Sequence, residues 1–459
     1  MEIQIPYSII FTFFCFFFLI CKLSSSSKKL TKTLLPGPWK LPLIGNLHQL
    51  ASSLPHRSLT NLANKYGPFM HLQLGQVSHI IVSSPEYAKE IMKTHDQIFA
   101  NRPKNLATDI FAYNSTDIAV SPYGNYWRQL RKILKKLELT NYIVARVALG
   151  KKTKNVEHVL QNLEQVTKLS SALSIFDFYP SLKFISVITG TRARMMKLHK
   201  DGDKVFDDII GDHEEKEKNN VGEAEQDLVD VLLRIQKDND FEIPLSLENI
   251  KAVLKDVFFA GTETTATTIN WTMSELLRDP EAMKEAQTEV RIVYGSKGYV
   301  DESELHQLKY LSAVIKETLR LHPPVVLIPR ENSESCEING YVISPKTKII
   351  INSWAIGRDP KIWNEPERFE PKRFFQTMDD YNFKSSNFEY IPFGGGRRIC
   401  PGITFATSIL ELLLSNLLYH FDWKLPKEMK AEGLDMDESF GAVVARKKDL
   451  SVIPFRYSP

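Results

Sequence analysis

The chain has 459 residues, 43% of them apolar and 25% charged, with a formal net charge of +3. This composition can bury a large core, and the charge is too slight to mark a nucleic-acid binder. The four cysteines, Cys15, Cys21, Cys336 and Cys400, are too scattered for a disulfide framework, and no C-x-x-C or H-E-x-x-H spacing offers a zinc site.

From Ile3 to Cys21 the run "IQIPYSIIFTFFCFFFLIC" carries no charge. At about 1.5 Å per residue, such a helix just crosses a bilayer core of roughly 30 Å. Glu2 precedes it and "KLSSSSKK" follows, unlike the basic start and small-residue cleavage site of a signal peptide. The expectation is an uncleaved membrane anchor over 3–23, with the basic flank holding the remainder in the cytosol. Residues 24–50 read as a basic, then proline-rich linker, and 51–459 as one large domain.

That domain starts with a helix near "HRSLTNLANKYG" and two strands, "FMHLQL" and "HIIVSS". Ser84, Pro85 and Glu86 supply a cap, a first-turn proline and a first-turn acid for a helix reaching about His95. Helices then dominate. The longest runs from about Leu247 to Arg278 and stops at Asp279-Pro280. Another runs from about Ser303 to Leu321, with Asp301 and Glu304 placed as a capping box. Short strands follow in "YVIS" and "KIIINSWAIG", while "GDHEEKEKNNVGEAEQD" reads as a solvated loop or frayed helix end. The layout is mainly α with small β-sheets.

Three motifs carry chemistry. "PFGGGRRICPG", Pro392 to Gly402, ends against an apolar helix whose first amides favour a thiolate at Cys400. Its glycines let backbone approach a flat group, and Arg398 can meet an anion on that group, a combination that suits haem iron. A buried structural cysteine beside a basic turn is the plainer alternative. "AGTETT", Ala260 to Thr265, places a glycine, an acid and threonines inside the longest helix, where they cost helix propensity and imply a local distortion. A merely solvated polar face is equally open there. In "YWRQLRK", Trp127 and Arg131 stand one helical turn apart, suited to gripping a carboxylate by indole N–H and guanidinium, although such a spacing alone is common on surfaces.

Phe393, Gly396, Arg398, Cys400 and Gly402 match F-x-x-G-x-R-x-C-x-G. With the order of the other motifs, the chain resembles the cytochrome P-450 superfamily, and within it the plant secondary-metabolism group of the 71 clan. The resemblance implies a cytochrome P-450 fold with haem b between the "AGTETT" helix and the cysteine loop, and Cys400 as axial thiolate to the iron. It implies cofactor contacts from Trp127, Arg131, Arg330, Phe393, Gly396, Arg398 and Gly402, and a proton relay through Glu263 and Thr264. Glu317 and Arg320, three apart in "ETLR", are otherwise an ordinary helix pair. The resemblance makes them a buried structural set closed by Arg373. Arg368 competes for that place, but the W-x-x-P-E frame from Trp363 sets Phe369, Pro371, Arg373 and Phe374 on the family's F-x-P-x-R-F, with Lys372 departing from the usual glutamate. The substrate pocket is expected at Ala260, Val325, Val326, Leu327, Ile328, Gly441 and Ala442, an apolar lining suited to a terpenoid or alkaloid skeleton.

The implied function is a haem-thiolate monooxygenase of the endoplasmic reticulum membrane, using O2 and electrons from an NADPH-cytochrome P-450 reductase that docks near the basic run "RKILKK". A peroxide-rearranging relative that needs no O2 is a second reading, disfavoured by the presence of Glu263 and Thr264. The chain also departs from the pattern. Between Lys132 and Ala145 it has only "ILKKLELTNYIV", where the family has several tens of residues more. A helical segment missing near 133–144 is expected to expose apolar surface beside Trp127 and Arg131. A truncated, haem-poor and non-catalytic product is therefore the third reading.

Overall fold

The computed structural model describes residues 35–51, 54–138, 165–166, 169, 175–218, 228–238, 242–375, 381, 383, 387–426 and 429–457. The anchor expected over 3–23 lies outside them, as does the chain from 139 to 164 that follows the expected gap.

The two early strand-like runs pair with each other. Phe69–Leu74 lies antiparallel to Val77–Val82, with Phe69 opposite Val82 and Leu74 opposite Val77. Gly75, at φ +58°, makes the reversal, a left-handed conformation that glycine adopts without strain. Val77–Val82 runs parallel to Lys348–Asn352, and that strand pairs antiparallel with Leu327–Glu331. A four-stranded sheet thus joins distant parts of the chain. Ile80, Val82, Ile349 and Ile351 pack in one core cluster and Ile81 in another, so this part of the sheet is buried on both faces.

The helix after the sheet differs from expectation. It is α-helical only from Pro85 to Lys89 and then widens into a π turn, Glu90–Thr94, closed by His95 N–H donating to the Glu90 carbonyl at 2.9 Å. Ser84 makes no side-chain cap; its buried hydroxyl has no partner among the described residues.

The longest helix spans Leu247–Arg278, 32 residues, or about 48 Å at 1.5 Å per residue. Ser246 and Asn249 cap its start reciprocally, each side chain accepting from the other's backbone N–H. Asp279 ends it and caps Pro280–Tyr294. The expected capping box at Asp301 and Glu304 is absent. Asp301 accepts from Ser303 N–H at 3.0 Å, Glu304 turns to Lys297 at 2.5 Å, and Glu302–Gln307 winds as a 3-10 turn before Lys309–Leu321 begins.

The largest core cluster joins the second half of the long helix to Pro280–Tyr294, Lys309–Leu321 and Ile403–His420. A second cluster packs Trp127, Leu130, Ile133 and Leu134, on the helix Asn125–Glu138, against Leu228–Leu233 and the long helix's first turns. This corrects one expectation. As far as Leu134, the apolar side chains before the gap are buried, because Leu228–Asp238 and the long helix cover them.

Candidate functional site

A cavity of about 420 Å³ lies between the middle of the long helix and the start of Ile403–His420. Cys400 lines it, three residues before that second helix, with its backbone N–H donating to the Phe393 carbonyl at 3.0 Å. Phe393 and Gly402 share the lining. A Cβ added at Gly402 would meet no atom within 4 Å, so it would project into open space.

Gly396 serves a different purpose from the one expected. It sits at φ +67°, and a Cβ there would come within 2.0 Å of the Met92 carbonyl oxygen. Its missing side chain lets the cysteine loop pack on the π turn rather than approach a group in the cavity.

The electrostatics of the cavity are cationic. Arg102, Arg131 and Arg398 line it, and Arg330 lies buried beside them, reaching the Gly395 carbonyl at 3.4 Å. Arg398 donates to the carbonyls of Ala100 (2.7 Å), Ile118 (3.3 Å) and Ser121 (2.5 Å). Burial and the neighbouring Arg102 guanidinium push the Arg398 pKa down to about 9. Burial alone brings Arg102 to about 10 against the pull of Asp117, and burial with two neighbouring guanidiniums pushes Arg330 well below the usual arginine range. Buried like charges of this kind are costly unless an anion joins them. Arg102 Nε and the Thr265 hydroxyl, both in the cavity wall, have no hydrogen-bond partner among the described residues. A thiol, an apolar chamber and under-neutralised guanidiniums fit a haem with two anionic propionates.

Trp127 departs from its expected role. Its indole N–H donates to the Ile118 carbonyl at 3.0 Å, so it is already engaged by backbone, although the ring lines the cavity 4.4 Å from the Arg398 guanidinium. The Arg131 guanidinium lies 5.9 Å from the centre of the same indole.

On the long helix, Asp256, Val257, Ala260, Gly261, Thr264, Thr265 and Thr268 form the wall. Ala260, Thr264 and Thr268 fall at i, i+4 and i+8, one face of a helix. The expected distortion is not found. The helix is continuous, and the hydroxyls of Thr262, Thr264 and Thr268 each donate to the carbonyl four residues back, at 2.7, 2.5 and 2.9 Å, supplementing the ladder. Glu263 is partly buried but outside the wall, since it leaves the helix about 100° round from Thr264.

Of the expected pocket positions, Ala260, Val325 and Ile328 line the cavity. Val326, Leu327, Gly441 and Ala442 do not. Successive strand residues face opposite ways, so Ile328 faces the cavity while Leu327 packs on the other side; Val326 is buried against Trp354 and Val444.

Away from the cavity, Glu317 and Arg320 form a fully buried pair, with Arg320 Nε 2.7 Å from Glu317 Oε2. Arg373 Nε reaches Glu317 Oε1 at 3.0 Å, whereas the Arg368 side chain is exposed and meets Glu365 and Glu370. Arg102, Asp117 and Asp256 were not singled out from sequence. Asp256 had a visible signal, an acid inside the apolar run "AVLKDVFFAG"; Arg102, in irregular chain before Pro103, had none.

The sequence model of the cytochrome P-450 family matches residues 35–144 and 137–453. Cytochrome P-450 71D10 of Glycine max is 48% identical over 98% of this chain and 97% of its own length. Tabersonine 16-hydroxylase 1 of Catharanthus roseus is 46% identical, covering 98% and 97%. Premnaspirodiene oxygenase of Hyoscyamus muticus is 44% identical, covering 98% of both chains. Among solved structures, a zebra fish cytochrome P-450 with abiraterone superposes with a TM-score of 0.67 at 26% identity, over 88% of this chain and 100% of that one.

Proposed function

We propose, from the premise that this chain belongs to the cytochrome P-450 family, that it inserts one oxygen atom into an apolar terpenoid or alkaloid of plant secondary metabolism. By that membership it is a haem-thiolate monooxygenase that uses O2, a small substrate and a redox partner. The single observation that carries the substrate reading is the cavity, most of whose lining surface around the thiol is apolar. The relatives named as a hydroxylase of tabersonine and an oxygenase of premnaspirodiene support it.

Haem held by the Cys400 thiolate supplies the dioxygen chemistry. Arg102, Arg131 and Arg398 would meet its propionates, with Arg330 adding positive charge behind them. Ile328, nearly fully buried in the cavity wall, would help keep water from the substrate space. The Thr264 hydroxyl gives its hydrogen to the Ala260 carbonyl, leaving the oxygen's lone pairs free to accept a hydrogen bond from a group in the cavity. Glu263, one residue back and partly buried, is the group that would feed protons toward it. Electrons would come from an NADPH-cytochrome P-450 reductase, at an endoplasmic reticulum membrane held by the 3–23 segment.

With that reductase and NADPH, oxygen uptake is expected to rise when an apolar terpenoid or alkaloid from a test panel is added. Turnover of a hydroperoxide without any electron donor would instead assign the chain to the peroxide-rearranging class. Spectral shifts confined to small carboxylates would overturn the substrate class.

A second reading concerns the gap. The two family matches meet, sharing residues 137–144, and the alignment to the Glycine max relative runs over 499 positions against a chain of 459, so at least about forty positions are gaps in this chain. These support a missing segment near 133–144, and weak haem retention is the expected consequence to be tested. Inserting the Glycine max relative's segment there is expected to raise haem occupancy severalfold. Stoichiometric haem in the chain as it stands would dismiss the haem-poor reading, and sequencing the transcript across codons 132 to 145 tests whether the gap is genuine.

A further inference from the structure

The segment Asp117–Ser121 is fastened to the long helix through a carboxyl pair. Asp256 Oδ2 accepts from the backbone N–H groups of Ile118 (2.7 Å) and Ala119 (3.1 Å). Asp117 Oδ1 accepts from Val120 N–H at 2.8 Å, so the two carboxyl groups bind successive amides of one short segment and lie close together. An ionised carboxylate only accepts, so a bond between them requires a proton on one member.

The same five residues serve two other parts of the site. Ile118 and Ala119 are cavity wall. The Ile118 carbonyl takes the Trp127 indole N–H and one Arg398 nitrogen, and the Ser121 carbonyl takes another. A shift of this segment would therefore move the substrate wall and the guanidinium beside the cysteine together.

We propose that Asp256 and Asp117 share one proton and that this pair is a positioning device, holding 117–121 as the common wall of the substrate space and the Arg398 side of the cavity. The inference deepens the reading of the cavity as a substrate site and rests on it. It assigns the pair no contact with the reacting atoms.

The charges around the pair set its pH behaviour. Arg398 from the cysteine loop, Arg102 from the segment before Leu106, Lys255 on the long helix and Tyr126 on Asn125–Glu138 all face it. The cations favour ionisation, yet burial raises both carboxyls, and the nearby Asp117 raises Asp256 further. Acids raised above their unfolded values contribute their hold at low pH and lose it as pH rises through the folded values. Two facing carboxylates then repel, and the segment loosens. The expected direction is a wall that weakens as pH rises.

The test uses the full chain and reads two quantities from pH 6 to 9: the thermal unfolding midpoint, and the affinity for 1-phenylimidazole as a probe of the cavity. In the parent both fall as pH rises. Asp256→Asn supplies an amide donor to Asp117 and a carbonyl to the two backbone N–H groups, with no proton to lose, so the pH step disappears from both readouts. Asp117→Asn does the same. Asp256→Ala leaves the Ile118 and Ala119 amides without their acceptor, and probe binding weakens about tenfold at every pH. Should that variant fail to fold, the two asparagine variants decide. A parent-like pH step in both asparagine variants, or parent-like binding in Asp256→Ala, would overturn the proposal. If the probe gives no spectral shift in the parent, the haem reading fails, while the unfolding profiles still judge the pair.

Discussion

Cys400→Ser is expected to abolish the red-shifted Soret band of the reduced, carbon monoxide-treated protein, and reductase-dependent turnover with it. A thiol has an ordinary pKa near 8.5 and reaches the thiolate readily beside cations. A serine hydroxyl stays protonated at any working pH and is a hard, neutral ligand. The exchange is nearly isosteric, and the Cys400 backbone N–H still has the Phe393 carbonyl to bond. The fold should therefore survive, and the loss should be spectral and catalytic. Cys336→Ser is the matched control. Cys336 is buried among sheet residues such as Ile338 and Ile343, away from the cavity lining, so its replacement should leave the band intact. Soluble Cys400→Ser protein that keeps the full band would remove Cys400 from its assigned place.

The parts of this molecule that could be read from sequence are those whose causes are local. Ser246 and Asn249 cap the long helix within four residues, and Asp279-Pro280 stops it, so both ends are visible in the chain itself. The alternation in "FMHLQL" gives a strand with the expected limits, Phe69–Leu74. Ser84 misled because the feature that decides its role, the burial of its hydroxyl away from the helix amides, is tertiary. Asp301 and Glu304 misled because Lys297 competes for the glutamate. The site divides the same way. Five residues in a row of ten announce Cys400, whereas Asp256 meets Ile118 across 138 positions, and no local pattern foretells that meeting. The Trp127 indole was assigned to a propionate because only its spacing from Arg131 was visible; folding brings it the Ile118 carbonyl instead.

Glu317→Gln is expected to cost more stability than any surface change in the chain, although it lies outside the cavity. Glu317 is fully buried, and both of its oxygens are engaged. Oε2 accepts from Arg320 Nε at 2.7 Å, and Oε1 accepts from Arg320 Nη2 (2.8 Å), Arg373 Nε (3.0 Å) and the Glu370 backbone N–H (2.8 Å). Arg320 continues the network to the carbonyls of Gly357, Pro366 and Arg368. Through this one carboxylate, the helix Lys309–Leu321 holds the chain from Gly357 to Arg373 in place. An amide in its position removes the charge that Arg320 and Arg373 share and turns a donor toward their donors. Breaking a buried pair by removing one partner costs about 3–5 kcal/mol, a large fraction of a total stability of about 5–15 kcal/mol. Arg368→Ala tests the alternative in the same denaturant series. Its side chain meets only surface acids, a contact worth about 0–1 kcal/mol, so its unfolding midpoint should stay close to the parent's. Arg373→Ala should fall between them, because it removes one donor and leaves the Glu317–Arg320 pair whole. If Glu317→Gln unfolds at the same denaturant concentration as Arg368→Ala, the buried set is not what fastens the Gly357–Arg373 segment, and the aromatic packing of Trp363, Phe374 and Tyr390 must hold it instead.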